Sequence, residues 1–344
     1  MPSSKKFRAA VQEAAAVLHR GGLVAFPTET VYGLGADAEN PAAVARIFAA
    51  KGRPADHPLI IHMAHSDPLD RWSRDIPPAA FHLTQLYWPG PLTLILRRAS
   101  HVSDRVTGGQ DTVGLRVPDH PLALALLEVF GGGIAAPSAN RFGQVSPTTA
   151  AHVREELGDA VDLLLNGGPC RVGIESTILD LSGYQPRLLR LGAIALDELE
   201  VVLEQPIASP GSNAPRAPGM LRAHYAPKTP LYIVPTLHLA AEICRHLRQG
   251  QNIAVLAMPT TLLPESCPWH PMPAHPAGWA RELYAQLRAL DKQGLDAILI
   301  EKPPTGADWQ AVNDRLGRAA SAHRVPGEDA SAVSDASFFD LSVP

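Results

Sequence analysis

Cysteine is nearly absent from this 344-residue chain. Its three cysteines, Cys170, Cys244 and Cys267, are odd in number, far apart and without a Cys-x-x-Cys spacing. That excludes a disulfide framework and a cysteine zinc site, and it fits a reducing cytoplasm. Charged residues are thin at 19% and balanced, with 18 basic against 22 acidic residues up to position 205 and 12 against 12 beyond it. Neither half has the basic excess of a protein held to nucleic acid mainly through phosphates. Long apolar runs are missing too: the longest, Pro121 to Pro137, is broken by Glu128, so no membrane span is expected. Met1 to Arg8 is polar and the apolar residues after it are spread around helical turns, unlike a signal peptide, so the expected location is cytoplasmic. No Gly-x-x-x-x-Gly-Lys, Gly-x-Gly-x-x-Gly, His-Glu-x-x-His or Gly-x-Ser-x-Gly motif occurs.

Proline and glycine are plentiful, at 33 and 27 residues, which implies many loops and turns. Six prolines crowd the stretch between Gln205 and Pro230, where periodic apolar patterning stops. This divides the chain into a domain over 1–205, a linker over 206–230 and a second domain over 231–344. In the first, helical spacing predicts a helix over 5–20 ending at Gly21-Gly22, and Asn40-Pro41 starts another that ends near Gly52. Further helices are expected over 79–87, 121–130 and 147–157, the last opened by Ser146-Pro147. Strands are expected at 23–26, 59–62, 92–97, 113–117, 134–136, 163–165, 177–181 and 188–191, an α/β mixture with loops gathered at strand ends. Beyond the linker, strands at 231–234, 253–257 and 297–301 alternate with helices at 237–249, 277–290 and 309–320, the rhythm of a small three-layer α/β domain with a parallel sheet.

Lysine is scarce, with six against 24 arginines, and Lys51 is the sole one between Lys6 and Lys228. An ammonium is a compact point charge suited to a phosphate, and Arg53 follows two residues later. Two readings stand side by side: a polyphosphate clamp, or a solvated helix end interacting with its own carbonyls. Three loops rich in hydroxyl and small residues, Pro27 to Gly35, Ala136 to Asn140 and Gly173 to Thr177, each lie at a strand end, where backbone and hydroxyls can approach a ligand. Arg116 and Arg190 sit in otherwise apolar strands and each needs a partner, either an internal carboxylate or a ligand anion. His57, His62 and His65 do not make a metal set, because on a strand of period two His57 and His62 point to opposite faces. Hydroxyls, amides and cations without an evident nucleophile suit a nucleoside triphosphate and a small zwitterion, with catalysis by positioning and charge neutralisation.

At these residues the chain resembles the threonylcarbamoyl-AMP synthase family in its long form. The matching segments, in the family's order, are Phe26 to Leu34, Lys51-Gly52-Arg53-Pro54, Pro58 to His62, Trp88 to Thr93, Gly114 to Pro118, Pro137-Ser138-Ala139-Asn140 and Glu175-Ser176-Thr177-Ile178. His224-Tyr225-Ala226-Pro227, after Pro218-Gly219-Met220, resembles the signature of the family's interdomain linker. The resemblance implies a YrdC-like twisted mixed sheet with helices, joined by the Pro-rich linker to a smaller Rossmann-like three-layer α/β domain. It implies that L-threonine, bicarbonate or CO2 and ATP with Mg2+ give threonylcarbamoyl-AMP and pyrophosphate, for threonylcarbamoyladenosine in tRNA. Carried over by motif position, Thr30, His62, Arg116, Ser138 and Ser176 would hold threonine. Lys51, Arg53, His57, Thr112, Asn140, Thr148, Arg190 and Tyr225 would surround ATP, with Lys51 and Arg53 catalytic and Tyr225 on a lid. His57 stands where the family commonly has asparagine. No protein side chain is implied as a metal ligand, and the product passes to a downstream tRNA threonylcarbamoyl-transfer complex without direct tRNA binding by this chain. The competing expectations are an RNA-binding or ribosome-assembly module and a carbamoyl-phosphate-handling relative of hydrogenase maturation; the balanced charge counts against the first, and the missing acylphosphatase and zinc-finger segments count against the second.

Overall fold

A computed structural model describes residues 4–66, 69–211, 213–264 and 267–323. Residues 324–344, which the sequence reading includes in the second domain, lie outside the described residues. The first half contains α1 (Ser4–His19), β1 (Val24–Phe26), β2 (Gly33–Asp37), α2 (Pro41–Lys51), β3 (Ile60–His62), α3 (Leu69–Trp72), β4 (Ser73–Arg74), α4 (Pro78–Tyr87), β5 (Leu92–Arg98) and α5 (Asp104–Thr107). It continues with β6 (Thr112–Arg116), α6 (Pro121–Phe130), β7 (Ile134–Ala135), α7 (Ala150–Leu157), β8 (Leu163–Leu164), β9 (Thr177–Asp180), β10 (Arg187–Arg190) and α8 (Leu196–Leu203). These strands form one mixed sheet in the order β10-β9-β5-β6-β3-β7-β2-β1-β8, with β4 paired to β5.

Side-chain alternation gives this sheet two buried faces. Val24, Phe26 and Ile134 face Ala14 and Leu18 of α1 and Leu126 and Leu127 of α6. Leu34, Ala36 and Ile61 pack with Val44 and Ile47 of α2 on the other side. The Gly-rich loop expected over Pro27 to Gly35 is only partly a loop, because Gly33 to Asp37 pairs with both β1 and β7. A Cβ on Gly35 would lie 2.6 Å from Ile134 and 2.8 Å from Phe26, so glycine here serves packing within a strand. Helix α7 starts three residues later than the Ser146-Pro147 signal, with Thr149 Oγ1 accepting from the His152 N–H at 3.3 Å. Ser146 has a different partner, described below.

The second unit comprises β11 (Leu231–Val234), α9 (Thr236–Arg248), β12 (Ile253–Ala257), β13 (Trp269–Pro271), α10 (Pro276–Leu290), β14 (Ala297–Glu301) and α11 (Gln310–Ser321). Its sheet has the order β11-β14-β12-β13 with every pair parallel. The edge strand β13 escapes the sequence pattern because it is short and lies in a Pro-rich stretch. No helix among the described residues is long and apolar enough to cross a membrane.

Helix α2 delivers Lys51. The Asn40 side chain accepts from the N–H groups of Ala42 and Ala43, both at 3.1 Å, Pro41 opens the first turn, and Gly52 closes the helix in the left-handed region at φ 60°. Replacing Asn40 by Ala is expected to lower unfolding free energy by about 1 kcal/mol, measured by chemical denaturation. An unchanged midpoint would mean that packing by Val44 and Ile47 alone starts the helix.

Candidate active site

A hollow opens over the face of β3 onto which Ile60 and His62 project, two residues apart on one strand. Its wall combines Thr28 and Thr30 from the β1–β2 connection, Arg53 from the exit of α2, Arg116 from the end of β6, Ser138 from the loop after β7, Glu175 from the loop before β9 and Arg190 from the end of β10. The linker closes it from above with Pro218, Gly219, His224 and Tyr225, while Ala217 packs on Ile60, Ile95, Ile178 and Leu189 beside it. The free space is about 50 Å³, far under the roughly 300–1,000 Å³ of a small-molecule site. A nucleotide does not fit the hollow in this arrangement.

Seven of the thirteen site residues expected from the sequence meet in this wall: Thr30, Arg53, His62, Arg116, Ser138, Arg190 and Tyr225. Three stand directly behind it. Ser176 Oγ accepts from Arg190 Nη2 at 2.9 Å, so it orients the arginine. Lys51 Nζ donates to the carbonyls of Ser138 (2.6 Å) and Asn140, and the Asn140 amide ties its own loop through the carbonyls of Arg141 and Gln144. Lys51 is 2% exposed and bonds to another loop, which overturns the solvated helix-end reading. It also borders a second, larger cleft of about 520 Å³ between the two units, with Phe142 and Arg288.

Three expected residues are not in the wall. His57 is half-buried in a turn ahead of β3, edge-on to Phe142 at 5.1 Å, so the premise that it shares a strand with His62 fails. Thr148 is buried in the turn before α7, where its N–H donates to His152 Nδ1 at 3.3 Å. Thr112 begins β6, four residues before Arg116, about 13 Å along the strand but on the same face.

The electrostatics are lopsided. Arg116 pairs with Glu29 at 2.6 Å and also donates to Thr30 Oγ1 at 3.0 Å. Thus Glu29 answers the question of an internal partner for Arg116. Arg190 has no such partner: it donates to the Ser176 and Pro218 carbonyls and to Ser176 Oγ, each at 2.9 Å. Arg53 donates to the Pro58 carbonyl at 2.9 Å, and its Nε is buried without a partner. Among the described residues, Lys51, Arg53 and Arg190 form no ion pair within 4.0 Å. Burial, reinforced by the neighbouring Arg53, lowers the Lys51 pKa well below the usual lysine value. Burial pushes Arg53 down to about 10, still charged at neutral pH. His62 and His224 are both pulled to about 3 by burial, with Arg116 acting further on His62 and Arg53 on His224, so both are neutral. Four buried polar atoms without partners surround this site: Arg53 Nε, His62 Nδ1, Asn140 Oδ1 and His224 Nδ1. Such a concentration marks a place built for a polar ligand.

Glu29, Glu175, Gly219 and His224 are functional residues that the sequence reading did not assign, although each lies inside a segment it singled out. The signal was available for the acids: arginines within apolar strands demand carboxylates, and Glu29 and Glu175 are the acids within the hydroxyl-rich loops. Gly219 is required because a Cβ there would lie 2.0 Å from the Tyr225 hydroxyl, and its φ of 86° is in the left-handed region. Gly219→Ala is therefore expected to unseat the Tyr225 ring and raise proteolytic cleavage within 213–226 by about tenfold, the response to about 1.4 kcal/mol of strain. Gly211→Ala, at a position with open space, is the control. Equal cleavage of the two variants would show that the linker is not held by this contact.

Comparison with known proteins agrees with this geometry. Residues 16–192 match the family described as "Telomere recombination" (Sua5_yciO_yrdC), and residues 194–321 match "Threonylcarbamoyl-AMP synthase, C-terminal domain". The chain is 40% identical to the threonylcarbamoyl-AMP synthase of Pyrococcus abyssi, over 92% of this chain and 95% of the relative. It is also 40% identical to that of Bacillus subtilis, over 90% and 92%. The crystal structure of P. abyssi Sua5 complexed with L-threonine superposes with a TM-score of 0.86 at 38% identity, covering 92% of this chain and 95% of that one. With both halves matched in order and the cationic hollow lying in the first, the chain belongs to the threonylcarbamoyl-AMP synthase family in its long, two-domain form.

Proposed function

We propose that the protein is an L-threonylcarbamoyladenylate synthase, a nucleotidyltransferase that joins L-threonine, bicarbonate or CO2 and ATP into threonylcarbamoyl-AMP and pyrophosphate. The observation that carries this reading is the unneutralised charge of buried Arg53 and Arg190, with the Lys51 Nζ behind them, beside hydroxyls and neutral imidazoles. Threonine lies against Thr30, His62, Arg116 and Ser138, with Arg116 facing its carboxylate. The neighbouring cations favour the neutral amine over the ammonium, since like charge disfavours a protonated group. That amine adds to CO2 and loses a proton to solvent, or condenses with bicarbonate with loss of water, giving a carbamate. A carbamate oxygen attacks the α-phosphorus, the bond to the β-phosphate oxygen breaks, and pyrophosphate leaves toward Arg53 and Lys51. Mg2+ enters with ATP and supplies further charge neutralisation on the phosphates. Neither buried carboxylate of the site would hold it, because Glu29 and Glu175 are committed to Arg116 and Arg315.

Ser176, Asn140, Thr112, Thr148 and His57 complete the nucleotide and threonine surroundings as the linker withdraws and Tyr225 closes again. The cytoplasm, where ATP is at hand and Cys170, Cys244 and Cys267 stay unpaired, is the compartment, and a tRNA threonylcarbamoyl-transfer complex takes the labile product. An RNA-binding role is not favoured, since the cations in question are 2–8% exposed, inside a pocket that a polymer backbone cannot enter.

Incubation with ATP, bicarbonate and one amino acid at a time, scored by the mass of the adenylate, is expected to give product with threonine. No threonine-dependent adenylate would overturn the assignment. Lys51→Ala is expected to cut turnover by about a hundredfold, the usual consequence of deleting a charge stabiliser at a dry phosphoryl site. Turnover close to that of the parent would leave Lys51 as a brace for the Ser138–Asn140 loop.

A further inference from the structure

Glu175 has a second-domain environment. It lines the active-site hollow, yet both of its oxygens are occupied from behind. Ser146 donates to Oε1 at 2.6 Å, Arg315 Nε donates to Oε2 at 2.7 Å, and the Tyr284 hydroxyl donates to Oε2 at 3.0 Å. Arg315 belongs to α11 and Tyr284 to α10, both beyond the linker. The loop that carries Glu175 is pressed against α10, because a Cβ on Gly173 would lie 2.4 Å from the Arg281 Cα.

Arg315 is fully buried, and each of the three nitrogens of its guanidinium donates to a protein acceptor. Besides Glu175, it donates through Nη2 to the Leu191 carbonyl at 2.7 Å and through Nη1 to Asp314 at 2.5 Å. Its Cζ lies 5.1 Å from the centre of the Tyr225 ring, whose other neighbour is Tyr284, stacked at 5.9 Å. One guanidinium from the second domain thus touches three pieces of the pocket wall: the loop before β9, the residue after Arg190, and the linker. It does not itself line the hollow.

We propose that Arg315 is a positioning residue of the active site, which claims Glu175 from the second domain, backs the Tyr225 ring, and so leaves Arg190 without a carboxylate partner and available to the nucleotide. Arg190 is the other cation acting on Glu175. Were Glu175 left unpaired, Arg190, which lines the same hollow and already bonds the adjacent Ser176, would be available to it, and the charge meant for phosphate would be neutralised from within. The second domain is then an electrostatic component of the catalytic centre. This inference rests on the synthase assignment above.

The test uses the full-length protein and reads KM for ATP, kcat and their pH dependence. Charged and titratable groups facing Glu175 are Arg315 and Tyr284 from the second domain, Arg190 from β10, and His224 and Tyr225 from the linker. Burial alone would raise the Glu175 pKa, and Arg315, Arg190 and the Ser146 bond hold it at about 2. Without Arg315 the folded-state pKa rises, so the carboxylate protonates as pH falls through a range where the parent is unaffected. Arg315→Met is expected to raise KM for ATP by about tenfold and to add an acid-side dependence to kcat/KM that the parent lacks. Glu175→Gln combined with Arg315→Met is expected to remove that added dependence and recover ATP affinity. Arg315→Lys, which keeps the charge but not the fork, is expected to fold, to lack the added dependence and to raise KM several-fold through loss of the Leu191 contact.

Parent-like KM and pH profile in Arg315→Met would overturn the proposal. If Arg315→Met does not fold, a parent-like KM and pH profile in Arg315→Gln, which also removes the charge, would overturn it in the same way. A parent enzyme that releases no pyrophosphate with threonine would instead sink the synthase assignment, and ATP titration of the same variants by calorimetry would still read the coupling between Arg315 and Arg190.

Discussion

Positive charge held out of water without a matching carboxylate is the constraint on which this structure turns. Five buried cations, Lys51, Arg53, Arg116, Arg190 and Arg315, surround the hollow and the wall behind it, together with two buried carboxylates, Glu29 and Glu175. Both carboxylates are taken, one by Arg116 and one by Arg315. Burying an uncompensated charge costs several kcal/mol even after relaxation, so a fold selected for stability alone would not keep Arg53 and Arg190 in this way. The chain reduces that cost with backbone carbonyls: Ser138 and Asn140 for Lys51, Pro58 for Arg53, Ser176 and Pro218 for Arg190. Carbonyl dipoles soften the field and do not cancel it. What remains is a site that an anion carrying several charges completes.

The same constraint explains why the two halves are not independent. A pocket this positive needs walls that exclude water, and the first sheet alone leaves the face of β3 open. The linker supplies one cover through Ala217 and Tyr225, and the second domain supplies a floor through α10 and α11. Val31, Val145, Ile174 and Tyr225 belong to the same apolar cluster as Trp279, Leu283 and Leu316, so the core of the second domain runs up to the back of the site. Tyr225 itself sits at φ 61°, a left-handed conformation that only a strongly determined environment holds in a non-glycine residue. Gly219 and Arg315, in contact with its hydroxyl and its ring face, are that environment.

Much of this was legible in the chain. The periodic helices over 5–20 and 121–130 and the strand–helix alternation beyond position 231 have local causes and appear where those causes put them. Residues missed or misplaced share a nonlocal cause. Gly33 to Asp37 reads as a loop because its glycines look like turn residues, and only the neighbouring Phe26 and Ile134 rings and branches show why a strand there must lack side chains. Ser146 looks like a helix cap beside Pro147, and its hydroxyl is instead spent on Glu175, 29 residues away. The pairing of Glu175 with Arg315 spans 140 residues and two domains, which no spacing rule reaches. Lys51 stood out by scarcity alone, and its burial against the Ser138–Asn140 loop shows that the scarcity had a structural reason.

The pocket also separates groups whose charge is fixed from groups that titrate. Arginine guanidinium groups keep their charge throughout the physiological range. His62 and His224, which would ordinarily gain charge near pH 6.5, are held neutral down to about 3 by burial next to those cations. A protonated imidazole would add repulsion to an already positive hollow, and it would lose the lone pair that can accept from a hydroxyl or amine. The cations therefore do two things at once. In the proposed reaction they attract the polyphosphate, and they add to the burial that keeps the neighbouring imidazoles neutral and disfavour the protonated form of a bound amine. Acid–base catalysis by a tuned side chain is then not the main source of rate. The reaction is driven by placing an amine, a carbon dioxide equivalent and an α-phosphorus in one field that disfavours the protonated reactant and stabilises every anion formed after it.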